Sequence, residues 1–125
     1  MQNTINPSLI LHLLKNKALT RRIIMAIHQH VAEQDIIIKL LTALFPECTI
    51  YLFGSRARGT HTEQSDIDIA LDLGRKMTLQ ELSRANNVLD GLNLAHTIDV
   101  VDLHRISNDM KTIILTQGTL WKQSN

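Results

Sequence analysis

Apolar positions along the chain switch between the three-to-four-residue spacing of helices and the two-residue spacing of strands. Turn residues separate these stretches, since Pro46 ends one helical pattern and Gly118 ends the last. The predicted helices are residues 7–16, 20–31, 32–45, 55–59, 78–92 and 107–117. The predicted strands are residues 49–53, 66–72 and 97–103. This order predicts an α/β (α+β) fold in which helices flank a small mixed β-sheet.

Composition describes one small domain with an ordinary core. The chain has 125 residues, of which 44% are apolar and 20% charged, with a net charge of +1. The near-neutral charge and 3% aromatic content argue against a standing nucleic-acid partner, which would need basic and stacking surfaces. No apolar run approaches the roughly 18 residues of a membrane span, and no signal-peptide pattern is present. We therefore expect a cytoplasmic protein without membrane contact.

The first 31 residues carry apolar helical stripes that the remaining pattern does not require. We expect residues 1–31 to form a helical N-terminal extension and residues 32–125 to form the main domain. The stripe residues are Leu9, Ile10, Leu13, Leu14, Ile23, Ile24 and Ile27. Such a stripe needs to be buried, and we expect it to pack on the domain itself. Contact with a partner protein, or with a second copy of the chain in a homo-oligomer, is the alternative.

The stretch LFGSRARGTHTEQSDIDIALDL holds the candidate chemistry. A short apolar strand ends in Gly54 and Ser55, and after ten further residues a second strand begins with Asp66 and Asp68. Glycine lets the backbone approach a phosphate closely, and main-chain N–H groups with a hydroxyl can bind it. Two acids at alternate strand positions share a face. The stretch therefore predicts a phosphate cradle beside paired carboxylates, as a divalent metal and a triphosphate require.

Other acids extend this prediction. Asp72 should share an open face of the second strand with Asp66 and Asp68, where like charges repel unless a cation neutralises them. Asp99 lies inside an apolar run, where an unpaired charge is costly to bury, so we expect it to face a cation or a metal. Asp102 points to the opposite face and is interpreted as a strand-end or turn residue. The alternatives are a structural salt bridge or a turn acid for Asp99, and an ordinary solvated face for the paired acids.

The combination of Gly54-Ser55, ten residues, Asp66-x-Asp68 and a third acid, Asp99, on a later strand resembles the polymerase-β-type nucleotidyltransferase superfamily. The wording LFGSRARG…SDIDIA and the short length resemble its minimal nucleotidyltransferase (MNT) branch in particular. The likeness covers residues 32–121, which is most of the chain. It implies transfer of a nucleoside monophosphate from an NTP, with ATP preferred, to an acceptor hydroxyl with release of pyrophosphate and two Mg²⁺ ions.

The resemblance also implies a role for each motif residue. Gly54 and Ser55 would hold the β- and γ-phosphates of the nucleotide. Asp66 and Asp68 would bind the metals, and Asp99 would complete the second metal site and help to activate the acceptor hydroxyl. All three acids would therefore be catalytic.

Two arginines, Arg56 and Arg58, follow the phosphate turn and can offset charge on a triphosphate. Neighbours at i and i+2 on a helix point apart, so only one of them can face the phosphates. We favour Arg56 as the nucleotide-binding residue, and ordinary solvated side chains are the alternative.

Finally, the resemblance implies a protein partner. Family members are commonly encoded beside a helical HEPN-type protein, which is either a toxin that receives AMP on a tyrosine or a substrate-binding subunit. We expect no helical substrate domain in the chain itself, which favours the two-protein arrangement. The chain is therefore predicted to be a Mg-dependent AMP transferase that acts as the antitoxin of a toxin–antitoxin pair. The alternatives are a non-catalytic module that masks its partner, and transfer to a small-molecule acceptor.

Overall fold

The computed structural model describes residues 7–8 and 15–124, without the side chains of residues 29–31. The chain divides into two compact units, Met1–Asp35 and Ile36–Asn125. Most of the predicted helix at residues 7–16 lies outside the described residues. The packing of residues 1–31 on the domain or on a partner stays a prediction.

Helix α1 spans Lys17–Leu44, 28 residues, where the sequence had predicted two helices divided between residues 31 and 32. That division was wrong, because no glycine or proline interrupts this stretch and each added residue extends the helix at little cost. Asn16 caps the helix, and its Oδ1 accepts a hydrogen bond from the Leu19 N–H at 3.0 Å. In the described part of the chain, no helix is both long and apolar enough to cross a membrane.

The apolar stripe of α1 is open to solvent at Ile23, Ile24 and Ile27, which are 37%, 46% and 54% exposed. The stripe residues before position 15 lie outside the described part of the chain. What covers this stripe therefore stays a prediction.

The second unit is built on a four-stranded sheet with the order β3-β2-β1-β4. Strand β1 spans Thr49–Phe53, β2 spans Ile67–Asp72, β3 spans Ile98–Asp102 and β4 spans Thr119–Lys122. Strand β1 is antiparallel to β2 and β4, whereas β2 and β3 are parallel, so the predicted mixed sheet is confirmed. Strand β4 was not predicted, because four residues are too few for alternation to stand out from a tail.

Three more helices connect the strands: α2 (Ser55–Arg58), α3 (Leu79–Asp90) and α4 (Asn108–Gln117). The sequence Thr78-x-x-Glu81 has the pattern of a capping box, which predicts a helix start, and in the structure Thr78 caps α3 through this box. Ser107 caps α4, and its Oγ accepts a hydrogen bond from the Met110 N–H at 3.2 Å. Sequence-encoded caps thus define where both longer helices begin.

Both faces of the sheet are covered. On one face, the alternate β2 residues Ile69 and Leu71 pack with Ile37 of α1 and Leu89 of α3 in the larger hydrophobic cluster. On the other face, Ala70 is fully buried in a smaller cluster. Its buried partners in this cluster are Leu103, which follows β3, and Ile114, which lies on α4. The prediction of an open acidic face on β2 is therefore wrong at the centre of this strand, where α4 covers Ala70.

The far end of this face is structural. Asp72 Oδ1 lies 2.6 Å from His104 Nε2 and accepts the Gly74 N–H at 2.7 Å. Asp102 is buried, and its carboxylate accepts the N–H groups of Met77 at 2.7 Å and His104 at 3.0 Å. Asp102 is thus a strand-end residue, as predicted. Asp72 was expected to join the paired acids, but it instead fastens the chain that leaves β2.

Replacing Asp72 should weaken the fold in a pH-dependent way. Burial acts to raise the pKa of Asp72, but hydrogen bonds from Gly74 and His104 and the charges of His104 and Lys111 outweigh it and lower the pKa. The carboxylate therefore adds stability that is present above its usual pKa of 3.8 and is lost as pH falls through the lower folded value. We expect Asp72→Asn to cost on the order of 1 kcal/mol at neutral pH.

Thermal unfolding from neutral pH down to acid checks this expectation. The difference between Asp72→Asn and the unaltered chain should shrink below about pH 3.8. Asp90→Asn, at the exposed end of α3, is the matched control and should change little. A difference that stays constant through the acid range would show that the charge of Asp72 does not matter.

Candidate active site

The candidate site lies at one end of the sheet, where β1 ends and both β2 and β3 begin. The antiparallel register pairs Phe53, the last residue of β1, with Asp68. The parallel register pairs Asp68 with Asp99 on β3. The sheet therefore brings together the turn after β1 and two of the three predicted acids, which lie 31 positions apart in the chain.

Gly54 packs its backbone directly against the carboxylate of Asp68. Its φ of 74° and ψ of −155° form a combination that essentially only glycine adopts. A Cβ at this position would collide with Asp68 Oδ2 and would lie 3.2 Å from Asp68 Cγ. The turn and the carboxylate therefore share one surface, as expected if the same nucleotide contacts both.

Ser55 follows as the first residue of α2, and its carbonyl oxygen accepts the Thr60 N–H at 3.0 Å. This hydrogen bond helps to close the short helix after the turn. The structure thus places Ser55 beside Gly54 at the end of β1. Its binding of phosphate stays a prediction.

The three candidate carboxylates differ in their surroundings. Asp68 is half-buried, and burial, Asp99 and Asp66, in that order, raise its pKa, while Arg58 acts in the opposite direction. Asp66 is exposed and stands one residue before β2, not inside it as predicted. Asp99 is also exposed, so the expected burial of this acid was wrong. Its strand is an edge strand, and the cluster under α4 includes Val101 of this strand but not Asp99.

These acids suit a divalent cation chemically. Within the described residues, no three acidic, histidine or cysteine side chains form a ready-made metal-binding group. Asp68 nevertheless feels the charges of both Asp66 and Asp99, and such repulsion is relieved when a cation neutralises it. Carboxylate oxygens are the hard ligands that Mg²⁺ prefers. The donor set and its charge therefore fit Mg²⁺.

The two arginines of α2 point to different neighbours, as their spacing predicts. The Arg56 guanidinium donates to the carbonyl oxygen of Ser65 in the loop before β2. Arg58, in contrast, is the cation whose charge acts on Asp68. The sequence favoured Arg56 over Arg58 for the nucleotide, and nothing in the local pattern distinguishes the two. Nucleotide binding by Arg56 stays a prediction.

Comparison with known proteins agrees with this geometry. The family model described as polymerase beta, nucleotidyltransferase matches residues 36–125. The protein adenylyltransferase MntA of Shewanella oneidensis is 37% identical over 94 residues, which cover 68% of this chain and 62% of that protein. The chain thus spans somewhat less than two thirds of that relative.

Two solved toxin–antitoxin structures have similar folds. A chain of a toxin–antitoxin structure with AMP-PNP has a TM-score of 0.64 and 32% identity, and covers 74% of each chain. A chain of the tri-AMPylated Shewanella oneidensis HEPN toxin in complex with its MNT antitoxin has a TM-score of 0.61 and 29% identity, and covers 77% of this chain and 73% of that one. Together with the Gly-Ser turn packed on Asp68, these matches show that the chain belongs to the polymerase beta nucleotidyltransferase family, in its minimal MntA-type branch.

Proposed function

We propose that this chain transfers AMP from ATP to a hydroxyl of a helical HEPN-type partner protein and thereby acts as the antitoxin of a toxin–antitoxin pair. One observation carries the proposal more than any other: the backbone of Gly54 lies against Asp68, and Asp68 is paired in register with Asp99. A nucleotide held at the turn would therefore present its phosphates to both carboxylates. The relatives named above support AMP as the transferred group and a HEPN protein as the acceptor.

In the proposed reaction the acceptor oxygen attacks the α-phosphorus of ATP. A new P–O bond forms, the bond to the pyrophosphate oxygen breaks, and pyrophosphate leaves. Gly54 and Ser55 would hold the β- and γ-phosphates, and Asp99 would accept the proton of the acceptor hydroxyl. Bound Mg²⁺ ions would neutralise charge on the attacking and leaving oxygens. Asp66, Asp68 and Asp99 would hold these ions.

Arg58 supplies a positive charge that acts on Asp68. Burial, Asp99 and Asp66 together raise the pKa of Asp68, and the charge of Arg58 opposes this rise. It would help to keep Asp68 ionised, which a metal ligand must be. Arg58 therefore supports the site whether or not it also contacts the nucleotide.

The partner is proposed to be a HEPN toxin, with a tyrosine hydroxyl as the acceptor. The described residues of this chain form one sheet with flanking helices, and the candidate site lies at an exposed end of that sheet. An exposed site is accessible to a side chain on a second protein. A chain of the solved complex between an AMPylated HEPN toxin and an MNT antitoxin resembles this chain, and this likeness supports the assignment.

The test is the intact mass of the cognate HEPN protein after incubation with this chain, ATP and Mg²⁺. We expect the partner mass to rise by one or more AMP units and its toxicity to fall. Peptide mapping should then place the added groups on tyrosine. An unchanged mass with a stable complex that still silences the toxin would contradict the proposal and favour masking of the partner instead.

A further inference from the structure

Arg56 holds the loop that leads into the acidic strand. Its Nε and Nη2 donate to the Ser65 carbonyl oxygen at 3.2 and 3.0 Å, and Nη2 also lies 3.5 Å from the Thr62 carbonyl oxygen. The Ser65 carbonyl belongs to the peptide group that joins Ser65 to Asp66. The guanidinium therefore fixes the backbone directly before this acid.

The backbone of Asp66 lies outside the sheet, so the hydrogen bonds of the sheet do not hold it directly. The other two candidate carboxylates stand in strands, where ladder hydrogen bonds hold their backbone. Asp66 is exposed and precedes β2, and the first sheet contact after it is the Ile67 N–H, which donates to the Thr97 carbonyl at 2.9 Å. Arg56 on one side and Ile67 on the other thus hold the backbone on both sides of Asp66.

The loop itself is organised to receive the guanidinium. The Thr62 N–H donates to Ser65 Oγ at 2.9 Å, and the Ser65 N–H donates to the Thr62 carbonyl at 3.2 Å. This closed turn presents both carbonyl oxygens to Arg56. A planar guanidinium can direct two N–H groups at one carbonyl, which the single ammonium of lysine cannot reproduce.

We infer that Arg56 is a positioning residue that fixes Asp66 for divalent-metal binding and thereby couples the phosphate turn at Gly54 to the metal site. The inference rests on the proposed function, since it takes Asp66 as a metal ligand. Arg56 lies two residues after Gly54 in the chain, so movement of the turn is transmitted to the loop that carries Asp66. Groups that orient metal ligands typically contribute about ten- to a hundred-fold to metal affinity.

Calorimetric titration of Mn²⁺ in the presence of α,β-methylene-ATP tests the inference without the partner protein. Arg56→Gln should weaken Mn²⁺ binding by about ten-fold. At saturating Mn²⁺, the affinity for the nucleotide analogue should return to that of the unaltered chain. In an Asp66→Asn background, the Arg56→Gln change should cause no further loss, because Arg56 acts through Asp66.

A matched control is Arg84→Gln, which removes an exposed arginine on α3 and should leave Mn²⁺ binding unchanged. Arg56→Lys keeps the positive charge but loses the pair of N–H groups that the guanidinium directs at the Ser65 carbonyl, so it should weaken Mn²⁺ binding as well. It also serves as the test variant if Arg56→Gln does not fold, as judged by thermal unfolding.

Three results would overturn the inference. The first is unchanged Mn²⁺ affinity in both Arg56 variants. The second is weaker analogue binding at saturating Mn²⁺, which would make Arg56 a nucleotide ligand as the sequence predicts. The third is an equal loss in the Asp66→Asn background. Because none of these measurements involves AMP transfer to a partner, they are independent of whether the proposed acceptor is correct.

Discussion

An Asp68→Asn variant is expected to lose AMP transfer by about a thousand-fold or more, because a metal site contributes several kcal/mol to such reactions. The change keeps the shape of the side chain and removes its charge. Asp68 is the acid that contacts the turn at Gly54 and is paired with Asp99, so it links the phosphate and metal sites. The measurement is the rate of mass gain of the HEPN partner with ATP and Mg²⁺.

The same variant should not be less stable. Burial and two neighbouring acids raise the pKa of Asp68, so its charged form is disfavoured in the folded chain above that pKa. As pH falls through the raised folded pKa, protonation relieves this cost, and Asn relieves it at every pH. We therefore expect Asp68→Asn to unfold at a higher temperature than the unaltered chain at neutral pH in metal-free buffer.

Asp72→Asn is the matched control for this experiment. It makes the same chemical change on the same strand and face, but its carboxylate binds His104 at the other end of β2. It should lose stability and keep its rate of AMP transfer. Equal rates for Asp68→Asn and the unaltered chain would show that the site proposed here does not perform the reaction.

Much of the second unit could be predicted from the sequence because its signals are local. Alternation marks β1, β2 and β3, and the caps Thr78 and Ser107 mark where α3 and α4 begin. The sequence also predicted that the Gly-Ser turn lies beside the acids. The spacing between the two motifs, which resembles that of the family, placed them on two strands that are neighbours in the sheet.

The errors came from features that depend on the neighbours of a strand. The exposure of Asp99 follows from the edge position of β3, which no local pattern encodes. Asp72 does not share an open face with Asp68, because α4 covers Ala70 between them. The carboxylate of Asp72 instead binds His104, which lies 32 positions along the chain. The side chain of Arg56 is oriented by its hydrogen bond to Ser65, in a loop that follows it in the chain. The spacing of Arg56 and Arg58 indicates only that their side chains point in different directions.

The predicted break within α1 failed for a different reason. The sequence had divided this helix at the point where the family resemblance begins, although no helix-breaking residue lies there. A limit of resemblance is an evolutionary boundary, whereas a helix ends where its hydrogen bonding can no longer continue. The two need not coincide, and in α1 they do not.

A Gly54→Ala variant is expected to lose AMP transfer by about a hundred-fold, since a displacement of reacting groups by about 1 Å has effects of this size. The added methyl group would occupy the space of Asp68 Oδ2, so either the turn or the carboxylate must move. The backbone angles add strain of about 1–3 kcal/mol, because residues with a Cβ rarely adopt them. Partner mass gain and thermal unfolding measure the two effects separately.

Gly74→Ala separates backbone strain from displacement of the carboxylate. Gly74 has nearly the same φ, 72°, but no atom lies within 4 Å of a Cβ built there. Its substitution should cost stability with little change in the rate of AMP transfer. If both variants lost activity equally, backbone strain would explain the loss of activity. If Gly54→Ala alone lost it, the close approach of the turn to Asp68 would be the feature that catalysis requires.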